Sequence, residues 1–91
     1  MKYWEFSFTR LFIKQKAFLK KNDAKSSDRL GCILLSMRDS PREGLGKPER
    51  LKYKHREIWS RRLDKKNRVV YEIKETEKAV IVISCLGHYE D

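Results

Sequence analysis

In a chain where 38% of residues are charged, Ala79 to Leu86 reads AVIVISCL, an apolar run broken only by Ser84. A run of this kind, bounded by charged joints, fits a strand covered on both faces at the centre of a sheet. Any fold for the chain must supply that cover. Leu30, Ile33, Leu34 and Met37 recur at the helical period and predict a helix beginning at Ser26, Ser27 or Asp28. Asp39, Ser40 and Pro41 end it, because proline lacks an N–H and disfavours helix at the residue before it. An earlier helix is expected over Arg10 to Lys21, with the Thr9 hydroxyl as N-cap and Leu11, Phe12, Phe18 and Leu19 on its covered side. Asn22 and Asp23 separate the two helices. Tyr3 to Phe8 (YWEFSF), Ile58 to Leu63 and the alternating Arg68 to Lys74 complete the strand candidates. This order predicts an α+β fold, a small antiparallel β-sheet with two N-terminal helices packed on one face.

The 91 residues are expected to form a single domain over 1–91. A domain of that size buries only roughly 60–65% of its unfolded surface, so an open groove suits it better than a deep pocket. The net charge is +9, and it is uneven. Residues 1–40 carry +5, residues 41–74 carry +7 and residues 75–91 carry −3. A basic excess of this density attracts polyanions, nucleic acid above all. Cys32 and Cys85 lie far apart in apolar runs and match no metal or redox spacing, so both are expected to be buried thiols in a reducing cytosol. No stretch approaches the ~20 apolar residues of a membrane span. The first sixteen residues lack the apolar core of a signal peptide, so a cytoplasmic location is expected.

The basic excess peaks over Gly44 to Tyr71, GLGKPERLKYKHREIWSRRLDKKNRVVY. Within it a carboxylate, Glu49, stands among Lys52, Arg61, Arg62 and Arg68, and His88 and Tyr89 follow near the far end. Cleaving RNA without a metal needs a base for the 2′-hydroxyl, cations for the pentacoordinate transition state and an acid for the leaving 5′-oxygen. Glu49 can be the base. Arg61, Arg62, Arg68 and Lys52 can grip phosphate, arginine through its planar fork. His88 can be the acid, with an ordinary pKa of about 6.5, and Tyr89 can stack on a base or hold the phosphate. Each residue has a plainer alternative. Glu49 could be a surface ion-pair partner, His88 an exposed terminal histidine, His55 a solvated loop residue, and Trp59 and Tyr71 core aromatics. The sequence holds no P-loop, HExxH, Cys/His cluster or GxSxG elbow, so no cofactor and no metal are called for.

The combined pattern EGxGKPExLK…WSRR…RxVY…HY, from Glu43 to Tyr89, resembles the YoeB (Txe) toxins of the RelE/ParE toxin–antitoxin superfamily. The resemblance implies a RelE/ParE-like, microbial ribonuclease-like fold. It also implies a metal-free, ribosome-dependent mRNA endoribonuclease that cuts mRNA in the A site. By the same resemblance, Glu49 is the general base, His88 the general acid and Arg68 the phosphate and transition-state stabiliser. Lys52, Arg62 and Tyr89 are supporting groups. The implied partners are a YefM-type antitoxin, the 70S ribosome with its mRNA, and a second copy in a homodimer.

Two departures from the family pattern stand out. Glu90 and Asp91 follow the His-Tyr pair, where their carboxylates would raise the pKa of a nearby His88 and repel phosphate. Arg42 replaces an aromatic, and Lys54, His55 and Arg56 make the next loop basic, which favours contact with ribosomal RNA. Two other functions are compatible with the same fold: a gyrase inhibitor of the ParE type, and a basic RNA-binding module without catalysis.

Overall fold

A computed structural model describes residues 3–87. Its elements follow the order β1 (Glu5–Phe8), α1 (Arg10–Asn22), α2 (Ala24–Asp39), β2 (Glu49–Arg50), β3 (Glu57–Arg62), β4 (Arg68–Lys74) and β5 (Ala79–Ser84), with a short 3-10 turn at Glu75–Glu77. The five strands form one sheet in the order β1-β5-β4-β3-β2. All neighbours are antiparallel except β1, which pairs with β5 in parallel. The sheet is therefore mixed, not wholly antiparallel. The helix pair and three strands separate β1 from β5 in the chain, and parallel neighbours need a long connection of this kind.

Local chemistry explains where the helices begin. Thr9 Oγ1 accepts the Phe12 N–H at 3.0 Å and donates to the Ile83 carbonyl at 2.6 Å, so one hydroxyl caps α1 and ties it to β5. Asp23 ends α1 through its N–H and starts α2 through its carboxylate, which accepts the Ser26 N–H at 3.1 Å. The second helix thus begins earlier than the apolar period suggests. Its buried face is Ser26, Leu30, Ile33 and Met37. On α1, Phe12 and Leu19 are buried, but Leu11 and Phe18 are 52% and 56% exposed. The covered stripe is narrower than expected, one residue wide per turn.

Both helices lie on one face of the sheet. Phe12, Leu19, Leu30, Ile33 and Met37 pack there against Val69, Tyr71, Ile73, Val80 and Val82. The central strand is β4, buried from Val69 to Ile73, with β5 beside it. A register irregularity opposite Val70 and Tyr71 shifts the alternation of β5 and turns Cys85 to the helix side. There Gln15 Oε1 accepts the Cys85 and Leu86 N–H groups. Cys85 is buried as expected, whereas Cys32 is exposed on α2, off the buried stripe. Among the described residues, no helix is long and apolar enough to cross a membrane.

The other sheet face is open. Its floor is a small apolar cluster of Leu51, Ile58 and Val70, with Ile83 against it.

Candidate active site

Strand register decides which side chains reach the open face. Successive side chains alternate between faces, and Val69, Tyr71 and Ile73 belong to the helix side. Arg68, Val70, Glu72 and Lys74 therefore point the other way. Arg62 lies directly opposite Arg68, and Ser60 opposite Val70. On the next strand Glu49 lies opposite Ser60, so it shares the open face and sits diagonal to Arg62. Directly opposed side chains have Cβ atoms about 4.5–5.5 Å apart, and diagonal neighbours about 7–8 Å. Glu49, Arg62 and Arg68 are thus brought together at one end of the open face.

Among the described residues, the side chains of Glu49, Arg62 and Arg68 make no hydrogen bond or ion pair, although other carboxylates of the chain do. Two like charges set directly across a sheet repel one another. An uncompensated arginine pair beside a carboxylate lowers stability and forms a ready site for an anion. A phosphate placed between the two guanidinium groups would remove the repulsion and could accept hydrogen bonds from both.

Arg61, expected among the phosphate-gripping groups, is corrected by the structure. It is one residue from Arg62, so alternation sends it to the helix side, where its exposure is 0%. Its Nε donates to the Tyr71 hydroxyl at 2.9 Å, one terminal nitrogen to Ser36 Oγ and the Leu45 carbonyl, and the other to the Ser40 and Glu43 carbonyls. A guanidinium has five N–H donors, and all are engaged. The Tyr71 hydroxyl in turn donates to the Pro41 carbonyl at 2.7 Å. The buried cation is solvated by backbone oxygens of the segment between α2 and β2, which it holds in place.

That segment delivers Glu49. Gly44 and Gly46 have φ of +115° and +85°, and Lys47 is also left-handed at +52°. A Cβ on Gly44 would clash with Ser36 Oγ, and one on Gly46 would lie 3.0 Å from both the Arg61 Cβ and the Arg62 carbonyl oxygen. The Gly46 carbonyl accepts the Arg62 N–H at 2.6 Å. Gly44 is therefore required where the loop passes Ser36 of α2, and Gly46 where it passes Arg61 and Arg62 of β3. Sequence inspection found the glycines but not the arginine they pack against.

Lys52 is exposed in the segment after β2. His88 and Tyr89, expected as acid and supporting group, and Glu90 and Asp91 after them, lie outside the described residues. Gly87, the last described residue, lies beside Arg68: its carbonyl accepts the Arg68 N–H at 3.1 Å and its N–H donates to Asn67 Oδ1 at 2.8 Å. Arg42 is not available to RNA as its charge suggested. It donates to both carboxylate oxygens of Glu57, at 2.8 and 3.1 Å, and to Glu75 at 2.7 Å. Arg56 pairs with Glu72 at 2.9 Å, while Lys54 and His55 are exposed.

Two helices on one face of a β1-β5-β4-β3-β2 sheet, with cations and a carboxylate on the other, define a toxin of the RelE/ParE superfamily. The chain belongs to the family of YoeB-like toxins of bacterial type II toxin–antitoxin systems, whose model matches residues 8–89. It is 33% identical to Toxin YoeB of Synechocystis over 92% of this chain and 95% of that one. The YoeB/ParE toxin of Agrobacterium tumefaciens superposes with a TM-score of 0.85 at 29% identity, covering 93% of this chain and 99% of that one. A YoeB dimer from Staphylococcus aureus gives 0.82 at 28% identity, covering 94% and 98%. The YoeB chain of a heterotetrameric YoeB–YefM complex from the same organism gives 0.77 at 27% identity over the same shares.

Proposed function

We propose that this toxin is a ribosome-dependent endoribonuclease that cuts mRNA in the A site by metal-free acid–base chemistry and thereby stops translation. The observation that carries this reading is the meeting of Glu49, Arg62 and Arg68 on one open sheet face, without protein partners among the described residues, in a YoeB-like chain. Glu49 takes the proton of the 2′-hydroxyl, and the freed oxygen attacks the adjacent phosphorus. Arg68, with Arg62 opposite it, stabilises the charge that builds on the non-bridging oxygens. The phosphorus–5′-oxygen bond breaks and His88 protonates the leaving oxygen. Lys52 and Tyr89 hold the phosphate and the flanking base. The open face has few groups able to read bases, so the ribosome supplies the placement of the mRNA. A YefM-type antitoxin and a second copy of the chain are the proposed protein partners, in keeping with the dimer and the YoeB–YefM complex of the Staphylococcus aureus relative.

The test is primer extension on an mRNA held in purified, programmed 70S ribosomes, comparing wild type with Glu49→Ala and His88→Ala. Cuts within the A-site codon that fade in both variants are expected. Cuts that persist in both would discard the acid–base assignment, and growth arrest without cuts would favour a target other than mRNA.

A further inference from the structure

Round the edge of the open face from Arg68, a cleft of about 630 Å³ lies between the start of α2 and the β3–β4 turn, lined by Lys25, Ser26, Arg29, Arg62, Leu63, Asp64 and Lys65. We propose that this cleft holds the phosphodiester backbone of the RNA strand beyond the linkage being cut, as an extended subsite without base preference. The inference rests on the reading of the open face as the RNA-cleaving site and deepens it.

Three features carry the proposal. Arg62 is shared: it belongs to the arginine pair of the open face and also lines the cleft, so a strand held by that pair runs directly into the cleft. Lys25 and Arg29 are one helical turn apart on α2, about 6 Å along its axis at ~1.5 Å per residue. Together with Lys65 across the cleft they offer cations on both walls. Among the described residues, none of Lys25, Arg29, Arg62 and Lys65 has an ion-pair partner.

The one carboxylate in the cleft, Asp64, is already engaged. It accepts the Ser26 hydroxyl at 2.8 Å, the Lys66 and Asn67 N–H groups at 2.9 and 2.8 Å, and the Asn67 amide at 3.1 Å. These bonds join the start of α2 to the turn and fix the two walls relative to each other. A cleft of fixed width, lined by unpaired cations and continuous with a phosphate site, suits a polyanion that crosses both. An acidic peptide would satisfy the cleft but gives no reason for the continuity with Arg62.

The experiment measures binding of the full chain to non-cleavable 2′-O-methyl oligoribonucleotides of four and ten nucleotides across a salt series. Lys25→Ala/Arg29→Ala and Arg68→Ala are set beside wild type. Both α2 positions are exposed on a helix, so the double variant retains its fold, checked by circular dichroism. Wild type is expected to bind the longer oligonucleotide more tightly, and the double variant to lose that gain while keeping its affinity for the short one. Its log–log salt slope on the longer oligonucleotide should fall by about 1.4, at ~0.7 per cation for single strands. Arg29→Lys should keep most of the gain. Unchanged binding in the double variant while Arg68→Ala weakens would overturn the subsite but leave the cleavage site standing. No effect of Arg68→Ala would instead strike at the cleavage site. Tighter binding of a charge-matched polyglutamate than of the longer oligonucleotide would also overturn the proposal.

Discussion

Arg61 and Tyr71, on adjacent strands, share a 2.9 Å hydrogen bond that closes a buried network joining the end of α2, the following loop and the two middle strands. Among the described residues no carboxylate is bonded to this arginine; its partners there are two hydroxyls and three backbone carbonyls. Arg61→Ala is expected to lower unfolding free energy by about 3 kcal/mol or more, because buried carbonyls lose their donor. Arg61→Lys should also destabilise, since an ammonium has three donors and no fork. Tyr71→Phe should cost about 1–2 kcal/mol. Urea unfolding by tryptophan fluorescence measures all three.

Two glycines should respond to alanine with opposite signs. Gly44 combines a left-handed backbone with a Cβ direction blocked by Ser36 Oγ, so Gly44→Ala should destabilise by more than ~1 kcal/mol. Gly31 lies inside α2 with nothing within 4 Å of its Cβ direction. Gly31→Ala should stabilise by roughly 0.5–1 kcal/mol. Thermal melts of the two variants give the signs directly.

The opposed Arg62–Arg68 pair predicts a trade between stability and activity. Arg68→Ala should lower the rate of mRNA cleavage on programmed ribosomes by about a hundredfold or more. It should also leave the fold unharmed or more stable by ~0.2–1 kcal/mol, because a cross-strand repulsion is removed. A variant that lost activity together with several kcal/mol of stability would instead mark Arg68 as structural.

Glu72 sits nearly buried on the central strand. The hydrogen bond from Arg56 holds its carboxyl below the ordinary value of 4.5, against the opposing effect of burial and with help from Lys74. A carboxylate with a depressed folded-state pKa contributes stability above that ordinary value and loses it as pH falls through the folded value. Melting temperature should therefore drop as pH falls below 4.5, and Glu72→Gln should flatten that part of the curve.

The cysteines should separate in thiol labelling. Burial pushes Cys85 up to about 11, and its side chain is enclosed, whereas Cys32 is exposed. At neutral pH a folded sample should label at Cys32 alone, read by peptide mass, with Cys85 reacting only on unfolding.

Much of this architecture was legible in the sequence because the periodicities are strong. The i, i+3, i+7 pattern of Leu30, Ile33 and Met37 marks a buried helix face, and the alternation of Arg68 to Lys74 matches β4 residue for residue. What was missed depends on neighbours distant in sequence. Composition assigns Arg61 and Arg62 the same role, yet the strand sends them to opposite faces, and only the loop carbonyls around Arg61 show why a charge is tolerated inside. Leu11, Phe18 and Cys32 look like core residues until the width of the covered stripe is known. Arg42 counts as free charge until Glu57 and Glu75 are found beside it. The strand that carries Glu49 has no counterpart among the sequence-based strand candidates, since a two-residue edge strand leaves no periodic signal. Its placement with Arg62 and Arg68 comes from register.

The parallel pairing of β1 with β5 also governs the order in which the molecule can be completed. The helix pair and the β3–β4 hairpin join neighbours in sequence and can form as they are made, but Glu5–Phe8 has no edge to join until Ala79–Ser84 exists. Such distant pairing makes for slow closure. Through the Thr9 tie to Ile83, the start of the first helix can dock onto the sheet only once the last strand exists. A growing chain therefore carries its arginine pair for some time before the sheet behind it is whole, and the protein reaches its finished form only after the ribosome has passed residue 84.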